Sequence, residues 1–354
     1  MTDGPYRADA EAFRARATPT LADVARQAGV SISAVSRVLR SDPASRVSAE
    51  TRQRILDAAT EINYRPNFAG RALKSARTRV LGLVVPDLTN ILFRELMRGA
   101  EEEAARYGYT LLLGRADGPS GTDIVERLLG EGRVDGVVVQ VDDGVPTERL
   151  IASLGSGAPA VLINCRSEDF VGSVVLDDAS GARLATEHLL SLGHTKIGFV
   201  NGVPRSFTAK RRHAGWKAAL ADAGLSMPRS YETRVGYHYE DGLIAAERLL
   251  GLPEPPTGIV VANINAAVGV LTQARGHGVA VPEDLSIVSV HDSWTGQHTC
   301  PPISAVKMPF YELGRSAARD LIDRLVNGRA VDRSILTPEP ELFVRGSSAP
   351  PPRG

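Results

Sequence analysis

Cysteine is scarce in this chain of 354 residues, which contains only Cys165 and Cys300. The two are far apart, and neither has the neighbouring cysteine that a CxxC motif requires. We therefore expect neither a disulfide framework nor a zinc site. His291, Asp292 and His298 lie near one another in the sequence, but they lack the spacing of two ligands on one helical turn. The sequence thus predicts no bound metal and no cofactor.

Long apolar runs are missing as well. The sequence has no stretch of about eighteen apolar residues, and it does not begin with the charged and then apolar segments of a secretory signal. We therefore expect a cytoplasmic protein. Catalytic signatures are also absent, since there is no Walker loop, GxSxG elbow, GxGxxG fingerprint or HExxH. The sequence does not indicate an enzyme.

Net charge is zero, because 41 Lys and Arg balance 41 Asp and Glu, but the charges are unevenly distributed. Up to Arg79 there are 14 basic against 8 acidic residues, and the remainder has 27 against 33. A basic N-terminal part on an acidic body is typical of a protein that contacts phosphates with one domain only. The length indicates two or three domains.

Two short amphipathic helices are predicted between Thr20 and Arg40. The first begins with a capping box of Thr20 and Asp23 and ends at Gly29, where a left-handed residue is needed. The second begins at Ser31, which is a good N-cap. Helices joined by so tight a turn cross steeply, as in a helix-turn-helix, whose second helix enters the DNA major groove. An ordinary helical hairpin with a solvated polar face is the alternative.

From Arg79 on, short apolar runs alternate with helical patterns, which indicates parallel sheets covered on both faces. The predicted strands are VLGLVV, YTLLLG, DGVVVQV, PAVLIN, SVVLDD, KIGFVNG, GIVVAN and LSIVSV. They are too many for one sheet. We therefore predict a small all-α helix-turn-helix head and an α/β body of two doubly wound parallel-sheet subdomains, with a ligand cleft between them. The expected crossings are Leu176–Asp178, Pro301-Pro302 and residues 307–309.

Seven segments, in this order, carry a resemblance to a known family: TLADVARQAGVSISAVSRVL, VSAETRQRILDAATEINYRPN, GLVVPDLTN, HLLSLGHTKIGFVNG, RRHAGW, PEDLSIVSVHD and PPISAVKMP. The set resembles the lactose-repressor/galactose-repressor (LacI/GalR) family of bacterial transcription regulators. The resemblance implies a periplasmic-binding-protein-like body that binds a small-molecule effector such as a sugar or sugar derivative. It also implies a homodimer that binds an inverted-repeat operator in double-stranded DNA, most often as a repressor. Induction and corepression both remain open.

The domain limits follow from these patterns and the resemblance. We expect a disordered leader (1–17), the helix-turn-helix domain (18–65), a hinge helix or linker (66–78), an effector-binding and dimerisation domain (79–345) and a frayed tail (346–354). Within the body, we expect an N-subdomain at about 79–177 and 309–337, and a C-subdomain at about 178–308 and 338–345.

Three residues of the second helix suit direct readout of bases. Arg37 can donate two hydrogen bonds to a guanine, and Ile32 and Ser33 suit a thymine methyl and nearby acceptors. The resemblance implies that all three face the bases, although a solvated charge is the alternative for Arg37. It places three further side chains near phosphates: Thr20, Ser31 and Ser36.

Residues 67–74 resemble the family's hinge helix, which begins here at Asn67. Leu73 matches the leucine that enters the minor groove, where an apolar wedge bends the duplex. Gly70 stands where the family usually has alanine, and a glycine inside a helix costs about 1 kcal/mol. The hinge should therefore be hard to order, and a plain linker is the alternative.

The resemblance also implies an effector site. Arg212 matches the effector-binding arginine, whose fork suits sugar hydroxyls or a carboxylate. The other candidates are Phe93, Asp142, Tyr237, Asn263, His291 and Asp292. His291 replaces a frequent acidic residue, Ile264 replaces a frequent Asp, and Ile91-Leu92 replaces the usual Pro-Phe, so the identity of the effector stays open. A sugar-binding protein or enzyme with the same body is the alternative, but neither has a use for a basic head.

Overall fold

The computed structural model of the chain describes residues 19–39, 47–65, 77–88, 90–116, 122–140, 145–155 and 157–352. The chain divides into two compact units between Thr78 and Arg79. Several predictions fall outside the described residues, namely those for the leader, for Asn67, Gly70 and Leu73 of the hinge, and for Asp142. Within the described ranges, no helix combines the length and the apolarity that crossing a membrane requires.

Three helices form the described part of the first unit: α1 (Leu21–Ala28), α2 (Ile32–Leu39) and α3 (Ala49–Glu61). α1 begins with the predicted capping box, in which Thr20 Oγ1 accepts from the Asp23 N–H at 3.3 Å and an Asp23 carboxylate oxygen accepts from the Thr20 N–H at 2.9 Å. It ends at Gly29, whose φ of 64° is the left-handed conformation that a side chain would strain. The Ser31 hydroxyl caps α2 by accepting from the Ala34 N–H at 3.3 Å.

The apolar faces of these three helices share one small core. Val24, Val35 and Ile55 contribute one fully buried side chain from each helix. Helices this short are marginal alone, so the shared core is what stabilises them.

The second unit contains twelve strands in its described part: β1 (Val80–Val85), β2 (Thr110–Arg115), β3 (Gly136–Val139), β4 (Ala160–Ile163), β5 (Ser173–Leu176), β6 (Ile197–Asn201), β7 (Glu232–Arg234), β8 (Gly258–Val261), β9 (Ser286–Ser289), β10 (Ser304–Lys307), β11 (Asp332–Ile335) and β12 (Glu341–Phe343). They form two six-stranded sheets, with the orders β11-β5-β4-β3-β1-β2 and β12-β10-β9-β8-β6-β7. Neighbouring strands are parallel, except that β10 and β12 are antiparallel. The predicted pair of doubly wound parallel sheets is confirmed.

Helices cover these sheets: α4 (Phe93–Arg106), α5 (Asp123–Gly130), α6 (Thr147–Leu154), α7 (Asp178–Ser191), α8 (Phe207–Asp222), α9 (Tyr239–Leu250), α10 (Ile264–Gly276), α11 (Trp294–Gln297) and α12 (Phe310–Asn327). The sequence patterns did not predict α6, α11 or α12, nor the strands β7, β10, β11 and β12. Of these strands, β7, β11 and β12 are sheet edges and β10 lies next to an edge, where a short or polar sequence gives a weak strand signal.

The chain passes between the two subdomains three times. It leaves the first sheet after β5 and returns to it at α12, which packs against α4 and against β3, β4 and β5. The third passage lies between β11 and β12. The predicted crossing at Pro301-Pro302 is wrong, because these prolines connect α11 to β10 and both elements belong to the second subdomain.

The predicted frayed tail is also wrong for residues 346–352. Ser347 is fully buried, and its hydroxyl accepts from the Ser304 N–H at 2.8 Å and donates to the Ile287 carbonyl at 2.6 Å. The Ala349 carbonyl accepts from Nε2 of the buried His194 at 2.9 Å. The segment has no large aliphatic or aromatic side chain, so its attachment through buried hydrogen bonds left no hydrophobic pattern to recognise.

Candidate nucleic-acid interface and effector site

The outward face of α2 carries the residues predicted to contact bases. Ile32 is 52% exposed, although apolar side chains of this size are more often buried. Arg37 is exposed, and its Nε donates to the Ser33 carbonyl one turn earlier at 3.3 Å. This bond uses only the Nε–H of the Arg37 guanidinium.

The residues predicted to lie near phosphates are mostly engaged in local structure. The Thr20 hydroxyl belongs to the cap of α1, where it also donates to Asp23 Oδ2 at 2.7 Å. The Ser31 hydroxyl caps α2 and lies 3.0 Å from the Ser33 hydroxyl, and Ser36 is half-buried. A phosphate at these positions would therefore meet mainly the N–H groups at the helix N-termini, which favour anions.

The second unit holds a buried ion pair at the predicted effector site. Arg212 on α8 is 4% exposed and Asp178, the first residue of α7, is fully buried. Nε and Nη2 of Arg212 lie 2.8 and 2.7 Å from Asp178 Oδ1, and Nη1 donates to the Ala262 carbonyl at 3.1 Å. Burial raises the pKa of Asp178, and the guanidinium opposes that rise. Removing one partner of such a pair costs about 3–5 kcal/mol, since it leaves a buried charge uncompensated.

His291 extends this pair toward the other subdomain. Its Nε2 lies 3.2 Å from Arg212 Nη2, and its ring packs edge-on against Phe310 with a centroid distance of 5.0 Å. Burial and the neighbouring guanidinium hold the pKa of His291 well below its usual value. Phe310 begins α12, so His291 lies where the second subdomain meets the first.

Asn263 and Tyr237 complete the cluster. Asn263 caps α10 with Oδ1, which accepts from the Ala266 N–H at 2.9 Å, and its Nδ2 donates to the Tyr237 carbonyl at 2.9 Å. The Tyr237 ring lies 5.4 Å below Arg212 Cζ, and its hydroxyl is 3.1 Å from the Thr208 hydroxyl. Both the oxygen and the nitrogen of the Asn263 side-chain amide are thus bonded within the protein, which makes Asn263 a positioning residue in this conformation.

A cavity of about 650 Å³ opens beside the cluster. Its lining comes from both subdomains: Ile91, Leu92, Arg94, Glu95, Asp292, Ser293, Trp294, Gln297, Lys307, Met308, Phe310, Phe343 and Arg345. Asp292 is the predicted residue among them, and it forms a two-pronged ion pair with Arg345, with both distances 2.8 Å. Phe93 is not among these residues; it is buried in the main hydrophobic core at the start of α4.

The comparisons with known proteins agree with this arrangement. Residues 20–67 match the family model described as bacterial regulatory proteins, lacI family, and residues 186–348 match the periplasmic binding protein-like domain. Catabolite control protein A of Priestia megaterium is 34% identical over 322 residues, which are 90% of this chain and 95% of that protein. The chain belongs to the LacI family. The family resemblance found in the sequence is confirmed, and with it the expectation that the protein is not an enzyme.

Two solved structures extend the likeness over nearly the whole LacI-family chain. The lac repressor dimer bound to operator and the anti-inducer ONPF has a TM-score of 0.80 and 26% identity, covering 94% of this chain and 99% of that one. The complex of the transcriptional regulator CelR with cellobiose has a TM-score of 0.70 and 27% identity, covering 93% and 99%.

Two charged residues of this LacI-family site, Asp178 and Arg345, were not predicted from the sequence. Asp178 follows a buried strand in the run SVVLDD, and an acidic residue at a strand's carboxyl end was a signal that could have found it. Arg345 gave no such signal, because its partner Asp292 lies 53 residues earlier. Asp292 follows β9 and Arg345 follows β12, and the two strands are joined through β10 in the sheet.

Proposed function

We propose that this protein is a cytoplasmic transcriptional repressor that binds an inverted-repeat operator as a homodimer. A small uncharged or charged sugar-like effector in the body sets its affinity for DNA. The observation that carries the proposal is the outward face of α2, where Ile32 and Arg37 are exposed on a head that matches the lacI family model.

Direct base readout supports the operator part of the proposal. An α-helix fits the major groove, and an arginine fork can donate two hydrogen bonds to one guanine. In this proposal Ile32, Ser33 and Arg37 contact bases, whereas Thr20, Ser31 and Ser36 lie near phosphates. Asn67 and Leu73 belong to a hinge (66–78) that orders on operator binding, between the DNA-binding domain (18–65) and the effector-binding domain (79–345).

A homodimer is supported by an exposed apolar edge on the body. β2 is the last strand of the first sheet, and its neighbouring residues Leu112 and Leu113 are 38% and 45% exposed. Adjacent leucines on a free sheet edge are a liability in a monomer, since unpaired strands recruit other chains. A two-fold pair of subunits would cover them and would present two heads to the two halves of an operator. The solved lac repressor is a dimer on its operator.

The polar cluster supports a sugar-like effector. Ligand sites of α/β proteins lie at the carboxyl ends of the strands, and Asn263 and His291 follow β8 and β9 there. Hydrogen-bonding groups next to aromatic rings suit a polyhydroxylated ring, and CelR was solved with cellobiose. We assign Arg212, Tyr237, His291 and Asp292 to this site, together with Asn263 as a positioning residue; Phe93 and Asp142 remain candidates.

Operator binding is tested by gel shift with the full chain on a selected inverted repeat and on a scrambled duplex, across a salt series. A regulator keeps its preference for the repeat while affinity falls steeply with salt, because bound counterions are released from the phosphates. A sugar-binding protein without DNA function shows no preference at any salt concentration. Equal affinity for both duplexes would contradict the proposal. Adding a ligand that raises the melting temperature then shows whether it releases or tightens the operator complex.

A further inference from the structure

The proton on the His291 ring can be placed from its contacts. Arg212 Nη2 lies 3.2 Å from Nε2 of His291, and a guanidinium can only donate hydrogen bonds. Nε2 must therefore accept and cannot carry a proton. A neutral imidazole has its single proton on the other nitrogen, so Nδ1 of His291 is a hydrogen-bond donor.

That donor has no partner within the described part of the chain. Nδ1 of His291 is buried, and none of the described groups accepts its hydrogen bond. A buried donor left unsatisfied is unfavourable, and it is the kind of group that a ligand satisfies. His291 packs against Phe310 and precedes Asp292, and both of these residues line the cavity between the subdomains, so a ligand in that cavity lies next to this ring.

The two charged residues next to His291, Arg212 and Asp292, are already matched. The buried Asp178 binds the Arg212 guanidinium. Two N–H groups of Arg212 point at one oxygen of Asp178, which favours the ionised form of Asp178 over the protonated form. Asp292, the next residue along from His291, is matched by Arg345. A ligand phosphate or carboxylate placed here would be desolvated without gaining a free cation among these groups.

We infer that the effector is uncharged and presents an oxygen acceptor, a hydroxyl or carbonyl, to the Nδ1–H of His291. This inference rests on the proposed function and narrows it to a neutral ligand. His291 is then a specificity-determining residue, because the acidic residue frequent at this position could offer an acceptor but no donor.

The first test needs no ligand. The full chain is labelled with ¹⁵N in its seven histidines, and the His291 ring signals are assigned by their loss in His291→Asn. The expected result at pH 7 is a neutral ring with the proton on Nδ1. A proton on Nε2, or on both nitrogens, would overturn the inference.

The second test compares neutral probes with anionic partners of the same skeleton. Melting temperature and calorimetric titration of the full chain are measured with glucose and glucose 6-phosphate, cellobiose and cellobiose 6′-phosphate, and inosine and inosine monophosphate. In each pair that binds, the neutral member should bind about tenfold or more tightly. Tighter binding of an anionic member would overturn the inference and leave the proposed function standing. If no probe of either charge binds while the operator is still recognised, the effector part of the proposed function fails and the inference fails with it.

Two substitutions separate the nitrogens of the ring. His291→Asn keeps a donor at the position of Nδ1, whereas His291→Gln keeps an acceptor near that of Nε2 and removes the Nδ1 donor. With the tightest neutral probe, the Gln variant should bind about tenfold more weakly, and the Asn variant should bind more tightly than the Gln variant. Melting temperatures without probe show whether both variants fold. Folded variants with the opposite order of affinity would overturn the inference.

Discussion

Asn90 Oδ1 accepts a hydrogen bond from Asn265 Nδ2 at 3.2 Å. Asn90 precedes α4 in the first subdomain, and Asn265 lies in the first turn of α10 in the second, so this bond holds the two subdomains together beside the effector cluster. A contact of this kind stabilises one arrangement of the subdomains by about 0.5–1.5 kcal/mol.

Asn265→Ala removes that bond. If the arrangement of the subdomains controls the hinge, the ratio of operator affinities with and without a saturating effector should change by about two- to tenfold, which is the fold-change equivalent of one hydrogen bond. Gel shifts with both ligand states measure the ratio. Gln273→Ala is the matched control, because Gln273 is also on α10 but bonds to Glu247 within the same subdomain. An unchanged ratio would show that the bond plays no part in the coupling.

Arg37→Ala should lose about 1–3 kcal/mol of discrimination at one base pair in each half-site, as expected for a two-pronged contact with guanine. Quantitative binding to a set of single-base operator variants measures this loss. Arg26→Ala is the comparison, since Arg26 is an exposed arginine on α1 that lies outside the predicted reading helix. A uniform weakening on all variants would reassign Arg37 to a phosphate contact.

Gly70→Ala should tighten operator binding. If residues 67–74 become helical on DNA, replacing a helix-interior glycine by alanine lowers the cost of ordering by about 1 kcal/mol in each subunit. Affinity for a full inverted repeat measures the gain, and affinity for an isolated half-site, where paired hinges are not formed, serves as the control. Equal affinity of variant and wild type for the full repeat would mean that the segment is a plain linker.

Local and periodic features of the sequence predicted most of the fold. The Thr20–Asp23 capping box and the left-handed Gly29 lie within α1 or at its end, so each is decided by neighbours in sequence. The buried parallel strands were predicted because continuous apolar runs are needed wherever both faces of a sheet are covered. The two subdomains followed from the number of such runs.

The remaining features depend on contacts between distant parts of the chain. The Arg212–Asp178 and Arg345–Asp292 pairs join residues 34 and 53 positions apart, so no local pattern shows which charges meet. The tail was missed for the same reason, because Ser347 bonds to backbone groups of β9 and to Ser304. The family resemblance predicted Arg212 as a site residue, but the structure was needed to show that Asp178 already holds its guanidinium.

Close helix packing in the first subdomain gives a stability test. A Cβ at Gly314 of α12 would lie 2.0 Å from the Leu96 carbonyl oxygen of α4, which is backbone and cannot turn away. Gly314→Ala should therefore force the helices apart and lower the free energy of unfolding by about 1–3 kcal/mol. Gly130→Ala is the matched control, since a Cβ at Gly130 meets nothing within 4 Å. Urea unfolding followed by circular dichroism should show a loss only for Gly314→Ala; equal midpoints would contradict the packing argument.

His194 should make stability depend on pH through its hold on the tail. Its Nε2 donates to the Ala349 carbonyl, and its Nδ1 lies 2.9 Å from the Thr257 hydroxyl. Burial lowers the pKa of His194, whereas a histidine in the unfolded chain keeps its ordinary value of about 6.5. The unfolded state therefore takes up the proton first, and stability should be constant above about pH 6.5 and fall as the pH is lowered below it.

The pKa values of the half-buried His188 and the buried His291 are lowered by burial too, so both residues add a loss of stability of the same sign. His194→Gln removes one of these three groups, and the decrease in melting temperature between pH 7 and pH 5.5 should become smaller than in wild type. His298→Gln is the control, because His298 is exposed and bonds only locally, to the Trp294 carbonyl, in the described structure. A pH profile of His194→Gln as steep as that of wild type would show that the tail is not held by a neutral His194.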